Sequence, residues 1–270
     1  MFLKAYAKIN LFLDVLNGRK DGYHNIITVM HTVGLHDMIY MKPLPRFIKV
    51  DMAGVPAEFN LSYKAARLLR GGRRDLGAYI RIKKHIPIGS GMGGGSSDAA
   101  RTLVGLNRLW HLNKTDEDLM RIASKLGSDV PFFIRGGMAL AEGRGEVLTY
   151  LKPMHLSLII VKPKASVSTK KIYRVLDDMD YNHGDVKKFL RSCPCLNTDE
   201  MVNVMEKAAF KIVPSLANIK KELYELGAVK AMMTGSGSAV FGIFNEQKVL
   251  MNAYEALQYK YSFVYYTKTI

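Results

Sequence analysis

The sequence predicts a mixed fold of strands and helices in two domains, and three observations carry that reading. Residues 5–15 alternate with the period of two that a strand requires. Residues from Ala99 to Trp110 repeat apolar side chains at helical spacing, directly after a glycine-rich loop. Around Lys152-Pro153 the pattern resets, which divides the chain into domains of residues 1–153 and 154–270.

Taken in order, Ala5, Ala7, Ile9, Leu11, Leu13 and Val15 face one way and Lys8, Asn10 and Asp14 the other, as in a half-buried strand. NGRKDGYH then supplies turn chemistry through Asn17-Gly18 and Asp21-Gly22, and Ile26 to Val33 forms a second strand. Leu61, Ala65, Leu68 and Leu69 give residues 58–70 a helical face that Gly71-Gly72 stops, and residues 78–86 return to strand. The next helix carries Ala99, Leu103, Leu106 and Trp110 on one face, with Ser96, Ser97 and Asp98 in its cap and first turn. Thr115 or Asp116 caps another helix ending at Leu126-Gly127, and RGGMALAEGRGE reads as a hairpin. In the second domain LSLIIVKP is a strand, Val175–Leu190 and Asp199–Leu226 are largely helical, and AVFGIF (239–244) is a strand after TGSGS.

The chain has 270 residues, 48% of them hydrophobic, which is enough for a sizeable core. Lys4, Lys8, Asn10 and Asp14 interrupt the apolar start, no small-residue cleavage site follows, and the longest apolar run is LSLIIV (156–161). A soluble, cytoplasmic protein is expected. Cys193 and Cys195 lie in a CPC triplet without a nearby His or a second cysteine pair at metal spacing. Lys and Arg outnumber Asp and Glu 39 to 24, and the resulting +15 charge attracts polyanions. The basic pairs are spread along the chain, which favours a general field over a nucleic-acid tail.

PIGSGMGGGSSDAA (87–100) places five glycines within residues 89–95 before a helix. Unpaired amides and the positive end of the dipole at a helix start, with no Cβ in the way, make a phosphate cradle. A P-loop needs Gly-Lys-Ser/Thr, and the chain has no Gly-Lys dipeptide. Gly89, Gly91 and Gly94 satisfy the dinucleotide fingerprint, but the acids that follow (Asp116, Glu117, Asp118) open a helix instead of ending a strand. The protein-kinase signatures HRD and DFG do not occur. A turn before a well-capped helix is the alternative; so many glycines make that turn costly if nothing approaches it.

The same segment resembles the second motif of the GHMP kinases, the small-molecule kinases of galactose, homoserine, mevalonate and phosphomevalonate. AKINLFLDVLNGRKDGYH and GSDVPFF are similar to the members whose acceptor is a cytidine-diphosphate-linked methylerythritol. The resemblance runs from Ala7 to TGSGSAVF, with three motifs in the family's order. It implies an α+β fold of two domains, an S5-like N-terminal ATP-binding domain and a smaller ferredoxin-like C-terminal domain, with the site between them. It also implies ATP as donor, the acceptor's 2-hydroxyl as target, and Mg2+ to bridge the nucleotide phosphates.

By this resemblance Asp129 is the catalytic aspartate and Lys8 its cationic partner, which keeps the carboxylate ionised. Taken alone, Asp129 reads as a cap and Lys8 as a solvated strand lysine. The ATP phosphates fall on Pro87, Gly89, Ser90, Gly91, Gly93, Gly94, Gly95, Ser96 and Ser97, with Asn60 and Lys84 near the nucleoside. Asn10, Tyr23, His24, Thr169 and Tyr173 fall at the acceptor; Tyr23 and His24 of DGYH would stack and hydrogen-bond the cytosine. Gly235 and Gly237 of TGSGS match the third motif. A protein ligand to the metal is not evident, and Ser97 and Asp98 lie nearest. The expected partners are therefore ATP and a small cytidine diphosphate substrate, not nucleic acid or membrane. The alternatives are another GHMP kinase, against which DGYH argues, and an S5-like RNA-binding protein, which leaves the glycine loop without a role.

Overall fold

The computed structural model describes residues 1–193 and 197–270, so Cys195 of the CPC triplet lies outside the described residues. Packing separates two compact units. One comprises Met1–Ala7, Leu35–Ile88 and Gly93–Gly136; the other comprises Lys8–Gly34, Gly89–Met92 and Gly137–Ile270. The division expected at residue 153 follows the order of the chain. The packed units are discontinuous because two long strands, β1 (Phe2–Gly18) and β2 (His24–Pro43), each run from one to the other.

In the first unit the end of β2 pairs antiparallel with β4 (Ala78–Lys83), and β3 (Ile48–Asp51) lies parallel to β4 on its other edge. α1 (Leu61–Arg70) buries Ala65, Ala66 and Leu69 on one stripe and ends at Gly71, whose φ of 56° leaves the helix. Its N-cap is Asn60, whose side chain accepts from the Ser62 amide at 2.8 Å. α2 (Gly94–Leu109) begins earlier than expected: its N-cap is Gly93 in the left-handed region, and Ser96–Asp98 are helical residues, not the cap. α3 (Asp116–Ala123) is capped by Thr115 and not by Asp116, and Thr115 forms a capping box with Asp118. The short α4 (Phe132–Arg135) follows Pro131, so Asp129 is not its N-cap residue.

In the second unit the start of β2 pairs antiparallel with β5 (Met138–Glu142), which forms the expected hairpin with β6 (Val147–Leu151). A second sheet holds β7 (Ser157–Lys162), β8 (Lys230–Met233), β9 (Val240–Phe244) and β10 (Phe263–Lys268) in the order β10-β7-β9-β8, every neighbour antiparallel. With helices between β7 and β8 and between β9 and β10, this is the ferredoxin-like arrangement. The helices are α5 (Thr169–Asp177), α6 (Val186–Ser192), α7 (Met205–Ile212), α8 (Ser215–Glu225) and α9 (Gln247–Gln258). The helical stretch expected over Val175–Leu190 is broken between Asp177 and Val186, where Gly184 and three acids (Asp178, Asp180 and Asp185) sit. Asp199–Leu226 is likewise divided, at Val213-Pro214, because proline cannot continue the ladder. The core of this unit packs Ile159, Val161, Ile172, Leu216, Leu223 and Val240, each fully buried and worth roughly 1.5–3 kcal/mol.

β1 corrects the half-buried expectation. From Ala7 to Val15 both of its faces are buried, Lys8, Asn10 and Asp14 included. Each polar side chain has found a partner. Asp14 accepts from the Gly184 amide at 3.0 Å and meets His183 Nδ1 at 3.1 Å, which also explains the break after α5.

His31 on β2 is fully buried between backbone groups: its Nε2 accepts from the Met154 amide at 3.0 Å, so Nδ1 carries the proton and donates to the Thr32 carbonyl at 3.0 Å. Only the neutral ring fits, and burial pushes its pKa down to about 4 from the ordinary 6.5. The unfolded chain binds this proton first. The stability contributed is therefore complete above pH 6.5 and is lost as the pH falls from there towards 4, by about 3 kcal/mol in all. Urea unfolding at pH 7.5 and pH 5 should show the wild type losing about 2 kcal/mol more than His31→Gln does over that interval.

Candidate active site

The second unit assembles three distant segments around Thr234. On β1, Lys8 Nζ donates to Asn10 Oδ1 at 2.5 Å, and Asn10 Nδ2 donates to Thr28 Oγ1 at 2.8 Å. The Asn10 amide donates to Thr234 Oγ1 at 3.1 Å, and that hydroxyl donates back to Asn10 Oδ1 at 3.1 Å. Lys8 and Asn10 thus share one buried strand face, as their spacing of two requires. The Lys8 amide donates to the Met92 carbonyl at 3.1 Å, which ties β1 to the glycine loop.

Gly89–Met92 lies against the TGSGS turn. Ser238 and Ala239 amides donate to the Gly89 and Ser90 carbonyls at 3.3 and 3.1 Å. The approach is so close that a Cβ on Gly91 (φ 77°) would stand 2.1 Å from the Thr234 carbonyl oxygen. A Cβ on Gly235 (φ 55°) would stand 2.9 Å from the Gly91 carbonyl and 3.4 Å from Lys8 Nζ. Gly237 also has positive φ, and Thr169 Oγ1, at the start of α5, meets Ser236 Oγ at 2.7 Å. Asn203, which no motif singles out, holds the turn: its buried Nδ2 donates to the Met233 and Gly235 carbonyls, both at 2.8 Å. It sits between Val202 and Val204, where an isolated polar residue in an apolar run is the only local sign.

The residues expected at the cytosine also gather in this unit. The His24 and Tyr173 rings stack, 4.5 Å apart and 11° from parallel, and His24 Nε2 lies 2.7 Å from Asp177 Oδ1. Tyr23 is exposed, with the Arg144 guanidinium 5.1 Å from its ring centre.

The first unit holds Asn60, Lys84, Gly93–Asp98 and Asp129. Asn60 is the α1 cap described above, a role that occupies its side-chain oxygen. Gly93 gives α2 no side-chain cap, so the first amides of the helix are not closed off by one. Gly94 and Gly95 follow, and the Ser97 hydroxyl is buried without a hydrogen-bond partner. Lys84, at the end of β4, places its ammonium between Asp37 Oδ2 and Asp98 Oδ2, at 2.5 and 2.7 Å. Burial disfavours that ammonium, but Asp98 and Asp37 outweigh it and hold the Lys84 pKa above its ordinary value. Burial, with the Asp37 charge beside it and Lys84 opposing, pushes Asp98 up to about 7. Asp129 is half-buried in the turn between α3 and α4. Among the described residues no group of three or more His, Cys, Asp or Glu could hold a metal ion.

Replacing Gly91 by alanine should force the two glycine turns apart, with a stability loss of about 2–5 kcal/mol and turnover reduced by at least about a hundredfold. Gly54→Ala is the comparison, since nothing lies within 4 Å of its Cβ position and only the positive φ of 75° is strained. That variant should lose about 1 kcal/mol and keep its activity, as thermal unfolding and initial rates would report.

Residues 60–137 match the GHMP kinases N terminal domain, and residues 167–262 match the GHMP kinases C terminal. The 4-diphosphocytidyl-2-C-methyl-D-erythritol kinase of Caldanaerobacter subterraneus is 41% identical, over 99% of this chain and 96% of its own. The protein of the same name from Clostridium botulinum is 39% identical, over 100% of both. The crystal structure of a 4-(cytidine 5'-diphospho)-2C-methyl-D-erythritol kinase superposes with a TM-score of 0.87 at 32% identity, covering 100% of this chain and 99% of that one. The mevalonate kinase of Methanococcus jannaschii, with a TM-score of 0.72 at 13% identity over 100% and 98% of the two chains, shares the fold. This chain belongs to the GHMP kinases, and within them to the family of the 4-diphosphocytidyl-2-C-methyl-D-erythritol kinases.

Proposed function

We propose that this protein transfers the γ-phosphoryl group of ATP to the 2-hydroxyl of 4-diphosphocytidyl-2-C-methyl-D-erythritol, a step of the non-mevalonate isoprenoid pathway, and does so in the cytoplasm. The observation that carries the reading is the packing of the Gly91 and Gly235 turns against Lys8 and Asn10, in a chain that matches kinases of that name from end to end. The two family domains fall on either side of residue 153, in keeping with an ATP-binding part at 1–153 and a second part at 154–270.

Phosphoryl transfer demands placement and charge stabilisation more than covalent participation. The uncapped amides at the start of α2 and the backbone of Gly89–Ser96 hold the phosphates, with Pro87 setting the start of the loop. Asp129 takes the proton of the 2-hydroxyl as its oxygen bonds to the γ-phosphorus. The bond to the bridging oxygen breaks, and ADP leaves. The Lys8 ammonium, aligned by Asn10, steadies the charge on the transferring group. His24, Tyr23 and Tyr173 take the cytosine through stacking and the imidazole edge, and Thr169 lies toward the acceptor hydroxyl. Mg2+, when bound with the nucleotide, would neutralise charge on its phosphates. The Ser97 hydroxyl, a buried oxygen without a partner, is the side chain that fits it, while the Lys84 ammonium makes the neighbouring Asp98 a poor place for a second cation.

Incubation with ATP and one of three alcohols, the cytidine-linked erythritol, homoserine or mevalonate, separates this reading from the other GHMP activities. ADP release should follow the first alone. Asp129→Asn should lower turnover by about a thousandfold while ADP still binds; a variant turning over at close to the wild-type rate refutes the base.

A further inference from the structure

Asp37 on β2 accepts from three donors, with at least one on each carboxylate oxygen. It is 0% exposed, its Oδ1 accepts from the His85 and Ile86 amides, and its Oδ2 accepts from Lys84 Nζ. The next two residues after Ile86 lead into the glycine loop. Lys84 in turn donates to Asp98 Oδ2 in α2 at 2.7 Å, and its ammonium lies 3.2 Å from the place of a Cβ on Gly94, the first residue of that helix. Asp98 Oδ1, by contrast, is buried without a partner. One carboxylate therefore grips the chain before the loop, and one lysine fastens that grip to the helix after it.

We propose that Asp37 is a positioning residue for nucleotide binding, acting through Lys84 and Asp98 to hold the first turn of α2 where its amides meet the phosphates. The inference rests on the reading of that turn as the ATP phosphate site. Its chemistry makes the two carboxylates unequal. An amide at residue 37 would turn an NH2 group toward either two backbone amides or an ammonium, donor against donor. An amide at residue 98 keeps an oxygen for Lys84 and places its NH2 where an oxygen already lacks a partner. The contacts of Lys84 also assign it to this network of carboxylates, ahead of a direct part in nucleoside recognition.

The test is calorimetric titration with ADP, together with KM measured separately for ATP and for the alcohol acceptor, on Asp37→Asn, Asp98→Asn and Asp98→Ala. Asp37→Asn should raise the ADP dissociation constant and KM for ATP about tenfold or more, with KM for the acceptor within about twofold. Asp98→Asn should bind ADP within about threefold of the wild type, and Asp98→Ala about tenfold more weakly. A merely structural aspartate would lower the active fraction and leave both KM values alone. Unchanged ADP affinity in Asp37→Asn overturns the proposal. Should that variant not fold, equal ADP affinities for Asp98→Asn and Asp98→Ala overturn it instead. A wild type that bound no ADP would remove the phosphate-site reading first, and this inference with it.

Discussion

The contact on which the second unit's site depends is that of the Gly91 backbone with the Thr234 carbonyl, too close for any side chain at residue 91. Thr234 is fully buried and committed at every polar atom. Its amide donates to Ala239, its hydroxyl exchanges hydrogen bonds with Asn10, and its carbonyl faces Gly91. Two glycine turns and the first strand thus become one hydrogen-bonded object. Lys8 inherits its position from this object through Asn10 and through its own amide on Met92. The cost of burying an ammonium is met here by neighbours already fixed for other reasons, which is the condition under which a buried polar network gives rigidity instead of instability.

That arrangement also marks how far the sequence could be read. Features that depend on nearby residues were legible: the Thr115 cap, the stop at Gly71, the β5–β6 hairpin, and the glycine loop opening a helix. The start of α2 is not legible, because a glycine N-cap in the left-handed region looks, in sequence, like more loop. The sequence of β1 suggests one wet face because Lys8, Asn10 and Asp14 are polar. Their partners, Thr234 for Asn10 and His183 with Gly184 for Asp14, stand 224, 169 and 170 residues away. No periodicity within a strand can announce such a partner. Asp37 and Asn203 escaped for the same reason, since each serves backbone groups that only folding brings near.

The units differ in how they treat charge. In the second, Lys8 is aligned by the side chain of Asn10, which Thr28 and Thr234 hold in turn. In the first, Lys84 lies between two carboxylates, and its charge is spent inside the protein. The formal +15 therefore says little about either lysine. It describes a surface field that speeds the arrival of anionic metabolites, a long-range effect that salt screens.

The glycine loop's lack of a lysine follows from this division of labour. A P-loop brings its own cation to the phosphates; here the loop offers backbone alone, and Gly93 leaves the α2 amides without a side-chain cap. Amides are fixed dipoles whose worth depends on where they point, so a loop without a cation needs an anchored helix more than one with a cation does. The anchoring side chains lie outside the loop, on β2 and at the end of β4, in a network that presents two carboxylates to one ammonium. Asp37 accepts from three donors and Asp98 from Lys84 alone, so the hold on the chain before the loop comes mainly from Asp37, and Lys84 carries it across to the helix.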